Sequence, residues 1–395
     1  MVELYILNRK YEQIDVLDGF ESLIWVKRYT EFGDCEIYIS ANAKTISLLQ
    51  RGHFIRRDDD DMICRIVSAK IETNKELGNH LVVVGKDCRD ILNQRIIWRQ
   101  TTYKGTAEGF IRRIIDENFI ATPTLRSQRT IPNLKLRASS GGFSDDVNVQ
   151  SSYEVVGEKV VEICKTFGYG SRMLWDGENF IFELYKGTDR SYNQEENDYV
   201  VFSPDFENLA STEYSVDSSN YRTVALVGGQ GEGKDRVLTT YEVSDAVGID
   251  RYEMFVDADS VSDSMSYDDL VAMYPGGTIE EVETDRFIYS VNGEPIALLD
   301  KGDDPSNATL NSMLYVQILS EQGRDALSEH VILTTFDGSV EPYASYKYGK
   351  DYFLGDIVTV RNEYGIETSA RITEVIESFD ENGYTLIPTF EYEEV

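Results

Sequence analysis

The sequence predicts a mainly β protein with α+β insertions, built as two related β-barrels and two accessory domains. Three observations carry this. Short apolar or alternating runs bounded by turn residues fill the first 88 positions and return near the end. Two stretches of helical period interrupt them. A three-stranded meander is spelled twice, once near each end of the chain.

In order, Leu4–Leu7, Gln13–Leu17, Ser22–Tyr29 and Cys35–Ile39 read as strands, with turns at Asp18-Gly19 and Gly33-Asp34. His53–Arg57 and Met62–Thr73 flank the acidic run Asp58–Asp61, and Leu77-Gly78-Asn79 turns into Leu81–Val84. Thr106 is placed to cap a helix carrying Ala107, Phe110, Ile111, Ile114 and Ile115 on its apolar face. Residues 136–152, rich in Ser, Gly and Asp, read as a loop. Ser151 with Glu154 has the spacing of a capping box. It leads into a helix with Val156, Val160, Ile163, Cys164 and Phe167 on one face, stopped by Gly168. Arg172–Trp175 and Phe180–Tyr185 form a hairpin about Asp176-Gly177. Tyr221–Val227 and Arg236–Val243 form another about a glycine-rich tip. Residues 251–304 hold 14 Asp+Glu against 3 Lys+Arg and read as a solvated excursion with few strands. Leu310, Met313, Leu314 and Ile318 mark a helix after Asn307, and strands resume from Val331 to the end.

The repeat pairs Gly52-His-Phe-Ile-Arg-Arg, Arg65-Ile-Val-Ser-Ala-Lys-Ile-Glu-Thr and Leu81-Val-Val-Val with Gly355-Asp-Ile-Val-Thr-Val, Arg371-Ile-Thr-Glu-Val-Ile-Glu-Ser and Leu386-Ile-Pro-Thr. From the Arg-Ile to the turn glycine is 13 residues in one copy and 12 in the other. The expected parts are a first barrel over 1–100 and an α+β domain over 101–197. A second barrel is assembled from 198–250 and 331–395, around an acidic insert with a helix over 251–330.

A chain of 395 residues with 41% hydrophobic content is long enough for two to four packed domains. Its net charge of −32 opposes binding to phosphate backbones and to anionic membranes. Residues 1–140 hold 22 Lys+Arg and 19 Asp+Glu, a sum of +3; the rest hold 16 and 51, a sum of −35. Such asymmetry predicts different neighbours for the two halves. Cys35, Cys64, Cys88 and Cys164 form no CxxC pair, so the expectation is free thiols and synthesis in a reducing host cytoplasm. The opening Met-Val-Glu-Leu-Tyr-Ile-Leu does not read as a signal peptide, and no apolar run approaches a spanning helix, so no membrane insertion is predicted.

Motifs for chemistry are sparse. Gly228-Gly-Gln-Gly-Glu-Gly233-Lys234 fits part of a phosphate-binding loop. However, Asp235 stands where a Ser or Thr would hold magnesium, and the next residues read as a strand, so a hairpin tip is expected. Asp58–Asp61 lacks the spaced ligands of a calcium loop and is expected to form a turn balanced by Arg56, Arg57 and Arg65. His53, His80 and His330 lie outside metal-ligand spacing of one another. The sequence therefore offers no catalytic, cofactor-binding or metal-binding residues and no cofactor, and is read as a non-enzyme. The competing reading is a β-rich cell-wall glycan hydrolase using one Asp/Glu pair among the 70 acids.

Several phrases, in their order along the chain, carry a family resemblance. They are Leu4-Tyr-Ile-Leu-Asn-Arg, Phe20-Glu-Ser-Leu-Ile-Trp, Arg28-Tyr-Thr-Glu-Phe-Gly-Asp34, Gly187-Thr-Asp-Arg-Ser191, Val201-Phe-Ser-Pro-Asp-Phe-Glu-Asn208, and Gly355-Asp-Ile-Val with Glu363-Tyr-Gly-Ile. The chain resembles the tail-hub or baseplate-hub proteins of siphophages and prophages of Gram-positive bacteria. That resemblance implies tail-tube-like barrels and a homotrimeric adaptor at the virion tail tip. The adaptor would join a sixfold tail tube to threefold tip proteins and form part of the DNA-ejection channel. The implied partners are the tail tube or distal tail protein, tip, receptor-binding or fibre proteins, the tape measure protein, and passing DNA without specific binding. Larger relatives continue into a host-binding or wall-degrading region; this chain is expected to end at its second barrel as a minimal adaptor.

Overall fold

Alternation of apolar and polar side chains makes the first repeat a run of strands. These are β1 (Leu4–Leu7), β2 (Gln13–Leu17), β3 (Ser22–Arg28), β4 (Asp34–Ser40), β5 (Phe54–Arg57), β6 (Ile63–Asn74) and β7 (Gly78–Asp87). In β4, Cys35, Ile37 and Ile39 point inward while Glu36 and Ser40 face out. A short helix, α1 (Ala43–Leu48), follows β4, its end capped by Asn42 through the N–H groups of Lys44 and Thr45. The structure is a computed structural model and describes residues 2–74, 78–121, 124–340 and 346–392. Leu77 of the expected turn, and parts of the expected C-terminal strands at 341–345 and 393–395, lie outside the described residues.

The next unit holds β8 (Thr101–Thr106), α2 (Ala107–Ile115), β9 (Leu134–Leu136), β10 (Asp146–Ser151), α3 (Val156–Phe167), β11 (Gly170–Trp175) and β12 (Phe180–Tyr185). Thr106 caps α2 through the Gly109 N–H, and Gly168 ends α3 at φ +63° in the left-handed region. Two expectations are corrected here. The stretch 136–152 is not all loop, because Asp146–Ser151 pairs antiparallel with β8. Ser151 and Glu154 bond to each other, but Ser151 ends a strand and α3 begins only after Val155, so they make no capping box.

The third region runs β13 (Val201–Phe202), β14 (Leu209–Asp217), β15 (Val224–Gly228), β16 (Leu238–Glu242), β17 (Glu253–Asp257), β18 (Ser264–Ser266), α4 (Tyr267–Met273), β19 (Thr278–Glu283), β20 (Arg286–Val291), β21 (Glu294–Leu299), β22 (Asn307–Leu310) and α5 (Ser312–Ser328). The expected solvated excursion is instead a five-stranded sheet in the order β18-β22-β21-β20-β19. Its acids occupy outward positions while Met265, Tyr289, Ala297 and Leu299 fill the core. The helix starts later than expected. Leu310 closes β22, Asn311 caps through the Leu314 N–H, and Met313 is exposed. β15, β16 and β17 form their own sheet, with Ala225 and Val227 in the same apolar cluster as Ile318 and Leu319 of α5. The chain closes with β23 (Leu333–Val340), β24 (Ile357–Arg361), β25 (Glu367–Asp380) and β26 (Gly383–Tyr392).

Both repeats lie in one 13-stranded sheet. The first contributes the order β5-β6-β7-β4-β3 and the second β24-β25-β26-β23-β14, the same path through equivalent strands. A bulge falls at the same place in each, between Ile66 and Ser68 and between Ile372 and Glu374. Gly52 and Gly355, which open the two copies, both have positive φ, +88° and +93°. The one-residue difference in spacing is taken up in the turns, Asn74 to Gly78 against Asp380 to Gly383. The flanks differ: β1 runs antiparallel to β5, whereas β13 runs parallel to β24. The repeats are joined where β3 pairs antiparallel with β25, Trp25 opposite Glu377 and Lys27 opposite Val375. Among the described residues, no strand pairing closes either repeat into a separate barrel.

Candidate functional site

Most residues singled out for chemistry are engaged in holding the fold. The Gly228–Lys234 segment joins the antiparallel strands β15 and β16, with only one short turn of helix at Gly233–Asp235. Arg236 fills the loop from inside, donating to the Gly228 and Gly229 carbonyls and pairing with Asp257. The segment is thus a hairpin tip packed on Tyr315, whose hydroxyl accepts the Gln230 N–H.

Asp58–Asp61 form the turn between β5 and β6, and each carboxylate meets a cation. Asp58 pairs with Arg56 at 2.6 Å, Asp59 with Arg57 at 2.8 Å, Asp60 with Lys27, and Asp61 with Arg172 at 3.1 Å. Lys27 and Arg172, rather than Arg65, complete the balance. His53, His80 and His330 sit apart: two bond backbone carbonyls, and His80 stacks on Tyr38 beside Glu21. Among the described residues no group of three or more His, Cys, Asp or Glu is arranged to hold a metal. All four cysteines are buried and free, and burial pushes the Cys164 thiol up to about 12.

What the structure does bring together is the seam between the repeats. Arg57 of β5 reaches across to Glu377 of β25 at 3.1 Å, and Lys27 of β3 lies 3.6 Å from the same carboxylate. The Tyr384 hydroxyl donates to Glu377 at 2.9 Å, and the Trp25 indole N–H to Asp60. Burial opposes the Lys27 charge, yet Tyr348, Asp60 and Glu377 hold its pKa well above the ordinary lysine value. Arg57 is raised likewise, burial opposing and Asp59, Glu377 and Asp60 outweighing it. A cleft of about 980 Å³ opens beside this network. Its carboxylates at Asp59, Asp60 and Glu377 are already neutralised by cations, an arrangement suited to joining sheets.

Sequence reasoning passed over Lys27 and Glu377, and read Arg57 only as a counter-charge to the Asp58–Asp61 turn. Strand parity could have flagged them: Lys27 continues the inward row of Leu23 and Trp25, and Glu377 that of Val375. The recurring phrases meet at the same seam. The Tyr29 hydroxyl bonds the Gly168 carbonyl, and the Arg371 guanidinium lies over the Tyr29 ring. Asp356 accepts the Thr188 N–H at 2.7 Å and pairs with Arg190 at 2.8 Å. Gly187 packs so closely on the Gly355 carbonyl that a Cβ would have no room.

At the outer limits of the sheet the strands are open. β5 covers β6 only from Ile63 to Arg65, so that edge has no strand partner beyond the bulge among the described residues. Among the described residues, β14 pairs with β23 alone. Edges of this kind are templates for another strand.

The family described as Siphovirus ReqiPepy6 Gp37-like protein matches residues 3–390. The fold is similar to the tail protein from Neisseria meningitidis MC58, with TM-score 0.54, 12% identity, and coverage of 99% of this chain and 97% of that one. It is similar also to the 43 kDa tail protein of prophage MuSo2 from Shewanella oneidensis, at TM-score 0.54, 11% identity and 98% of each chain. The prophage tail protein gp18 from Listeria monocytogenes EGD-e aligns at TM-score 0.50 and 10% identity, over 99% of this chain and 94% of that one. No curated protein sequence matches.

Proposed function

The chain belongs to the Siphovirus ReqiPepy6 Gp37-like protein family and is a structural component of a phage tail, and on that premise we propose that it is the hub of the tail tip. In this reading three copies form a ring that joins the sixfold tail tube to threefold tip proteins and lines part of the path of the ejected DNA. The observation that carries it is the duplication, realised as two copies of one strand order with one shared bulge, side by side in a continuous sheet. Two equivalent units per chain let three chains present six, which matches a sixfold tube without a symmetry mismatch. The net charge of −32 supports a DNA path to which phosphates do not adhere. The four-part division, with the units at 101–197 and 251–330 as the elements that break sixfold symmetry, belongs to the same proposal. So does a role without enzymatic activity.

The test is a reconstruction of the tail end of the assembled particle. Three copies in a ring next to the tube are expected, with the two repeats superposing after a rotation of about one sixth of a turn. Any other number of copies, or a location away from the tube end, overturns the hub reading. A zymogram of the purified protein on host cell walls is expected to stay blank; a clearing would favour the hydrolase.

A further inference from the structure

Three side chains of the seam are placed to react with one another. Lys27 of β3 sets its ammonium on Oδ2 of Asp60, in the turn between β5 and β6. The other oxygen of that carboxylate, Oδ1, accepts the Met62 N–H at 2.8 Å and the Trp25 indole N–H at 3.3 Å. One oxygen is thus held by two N–H donors while the other faces an amine. Glu377 of β25 lies 3.6 Å from the same Lys27 nitrogen. It is fixed there by the Tyr384 hydroxyl at 2.9 Å and by Arg57 at 3.1 Å.

The surroundings keep bulk water from these atoms. The side chains of Lys27, Asp60 and Glu377 are 10%, 3% and 6% exposed. Trp25 is fully buried, and the Lys27 nitrogen lies 4.4 Å from the centre of the Tyr348 ring. An amine, a carboxyl group and a second carboxylate, packed together out of water, are what amide formation between side chains needs. Holding the reactants in contact replaces the encounter that keeps this reaction slow in solution. Exchanging a buried ammonium and carboxylate for a neutral amide also removes the desolvation cost of two charges.

We infer that Lys27 and Asp60 condense into an amide within the chain, with Glu377 as the proton carrier. The ammonium first passes a proton to Asp60 Oδ2, which leaves a neutral amine beside a carboxylic acid. The amine lone pair forms the Nζ–Cγ bond, and the Met62 and Trp25 N–H groups hold the negative charge that gathers on Oδ1. Glu377 takes a second proton from the nitrogen and returns it to Oδ2. The Cγ–Oδ2 bond breaks, water leaves, and the amide keeps the last N–H. Nothing is oxidised or reduced. Burial opposes the Lys27 charge while Tyr348, Asp60 and Glu377 favour it, so the neutral amine is a minor form. The condensation occurs once per chain, and a minor form is enough for that. The bond ties β3 to the β5–β6 turn in a chain whose four cysteines are all free, and it is independent of the hub reading.

The test is mass spectrometry of the full chain, freshly purified and after prolonged incubation. The wild-type mass is expected to fall below that of the sequence by one water. A digest is expected to contain one peptide joined from the segments around Lys27 and Asp60. Lys27→Arg keeps a cation on Asp60, but its guanidinium stays protonated and does not attack, so this variant is expected to keep the full mass. Glu377→Gln keeps an acceptor for the Tyr384 hydroxyl and is expected to link about a hundredfold more slowly. Circular dichroism melts show whether each variant is folded. A wild-type chain still at full mass after incubation overturns the amide. So does loss of water without the joined peptide, or the same loss in Lys27→Arg. Equal rates in wild type and Glu377→Gln overturn the role given to Glu377. Should neither variant fold, the wild-type mass and the joined peptide decide by themselves.

Discussion

Arg57 and Glu377, 320 positions apart in the chain, form an ion pair at 3.1 Å in which neither side chain is more than 6% exposed. It clamps the first repeat to the last. Removing Glu377 leaves Arg57 with Asp59 and Lys27 with Asp60, but takes from the seam the carboxylate that both cations and the Tyr384 hydroxyl share. Glu377→Ala is expected to cost about 1–3 kcal/mol, the usual loss for buried hydrogen bonds to a charged group. Urea unfolding of the purified chain measures this, and a loss under about 1 kcal/mol would show that water reaches the seam.

The contact of Gly187 with Gly355 makes a second prediction. A methyl group at 187 meets backbone, which cannot swing aside, and Gly355 is fixed by its positive φ and by the Tyr29 ring beside it. Gly187→Ala is expected to destabilise by about 1–3 kcal/mol as an overpacked site. Gly177→Ala, where space is open but φ is +101°, is expected to cost less, about 1 kcal/mol, since only backbone strain opposes it. Thermal melts of the two variants side by side check the order.

The seam was partly legible in the sequence and partly not. The duplicated meander gave the runs β5-β6-β7 and β24-β25-β26, because strand alternation and turn residues are local signals, whereas the shared bulge and the places of β3 and β14 came only with the structure. β15 and β16 were read as part of the second barrel and the β17 segment as part of the acidic insert, yet the three join one separate sheet against α5, a choice made by packing between distant segments. The strands of 251–304 were hidden because Glu280, Glu281 and Glu283 take positions that an apolar pattern search discards. Lys27 and Glu377 were hidden because a charge on an inward row is meaningful only once its partner from another strand is known.

The Asp300 carboxyl is held down to about 2, first by the Ser306 hydroxyl and then by backbone N–H groups of Asn307 and Ser306. Its folded pKa lies below an unfolded value of about 3.9. The stabilisation is therefore present above that value and is lost as pH falls towards 2. Carboxyl NMR titration should place the Asp300 midpoint near 2, and Ser306→Ala should move it upward. An unchanged midpoint in that variant would remove the hydroxyl as the cause.

The Gly228–Lys234 hairpin separates two cations close in sequence. Arg236 holds the loop through the Gly228 and Gly229 carbonyls and Asp257, whereas Lys234 is exposed. Lys234→Ala is expected to leave stability within about 0.5 kcal/mol of wild type. Arg236→Ala is expected to cost about 1–3 kcal/mol, since it takes a donor from the Gly228 and Gly229 carbonyls and the cation from Asp257. Nucleotide binding that depends on Lys234, read by calorimetry with magnesium and ATP, would contradict the hairpin reading.

The seam inside the chain and the outer strands of the sheet differ in chemistry. The β3–β25 junction closes over ions, Lys27 and Arg57 against Glu377. Ile71 and Val216, at the equivalent positions of β6 and β14, are apolar and exposed. A β14 strand laid on β25 in place of β3 would bring Val216 where Lys27 stands and leave Glu377 without its two cations. Duplication alone would let either unit pair with a copy of itself; the charged clasp commits β25 to β3.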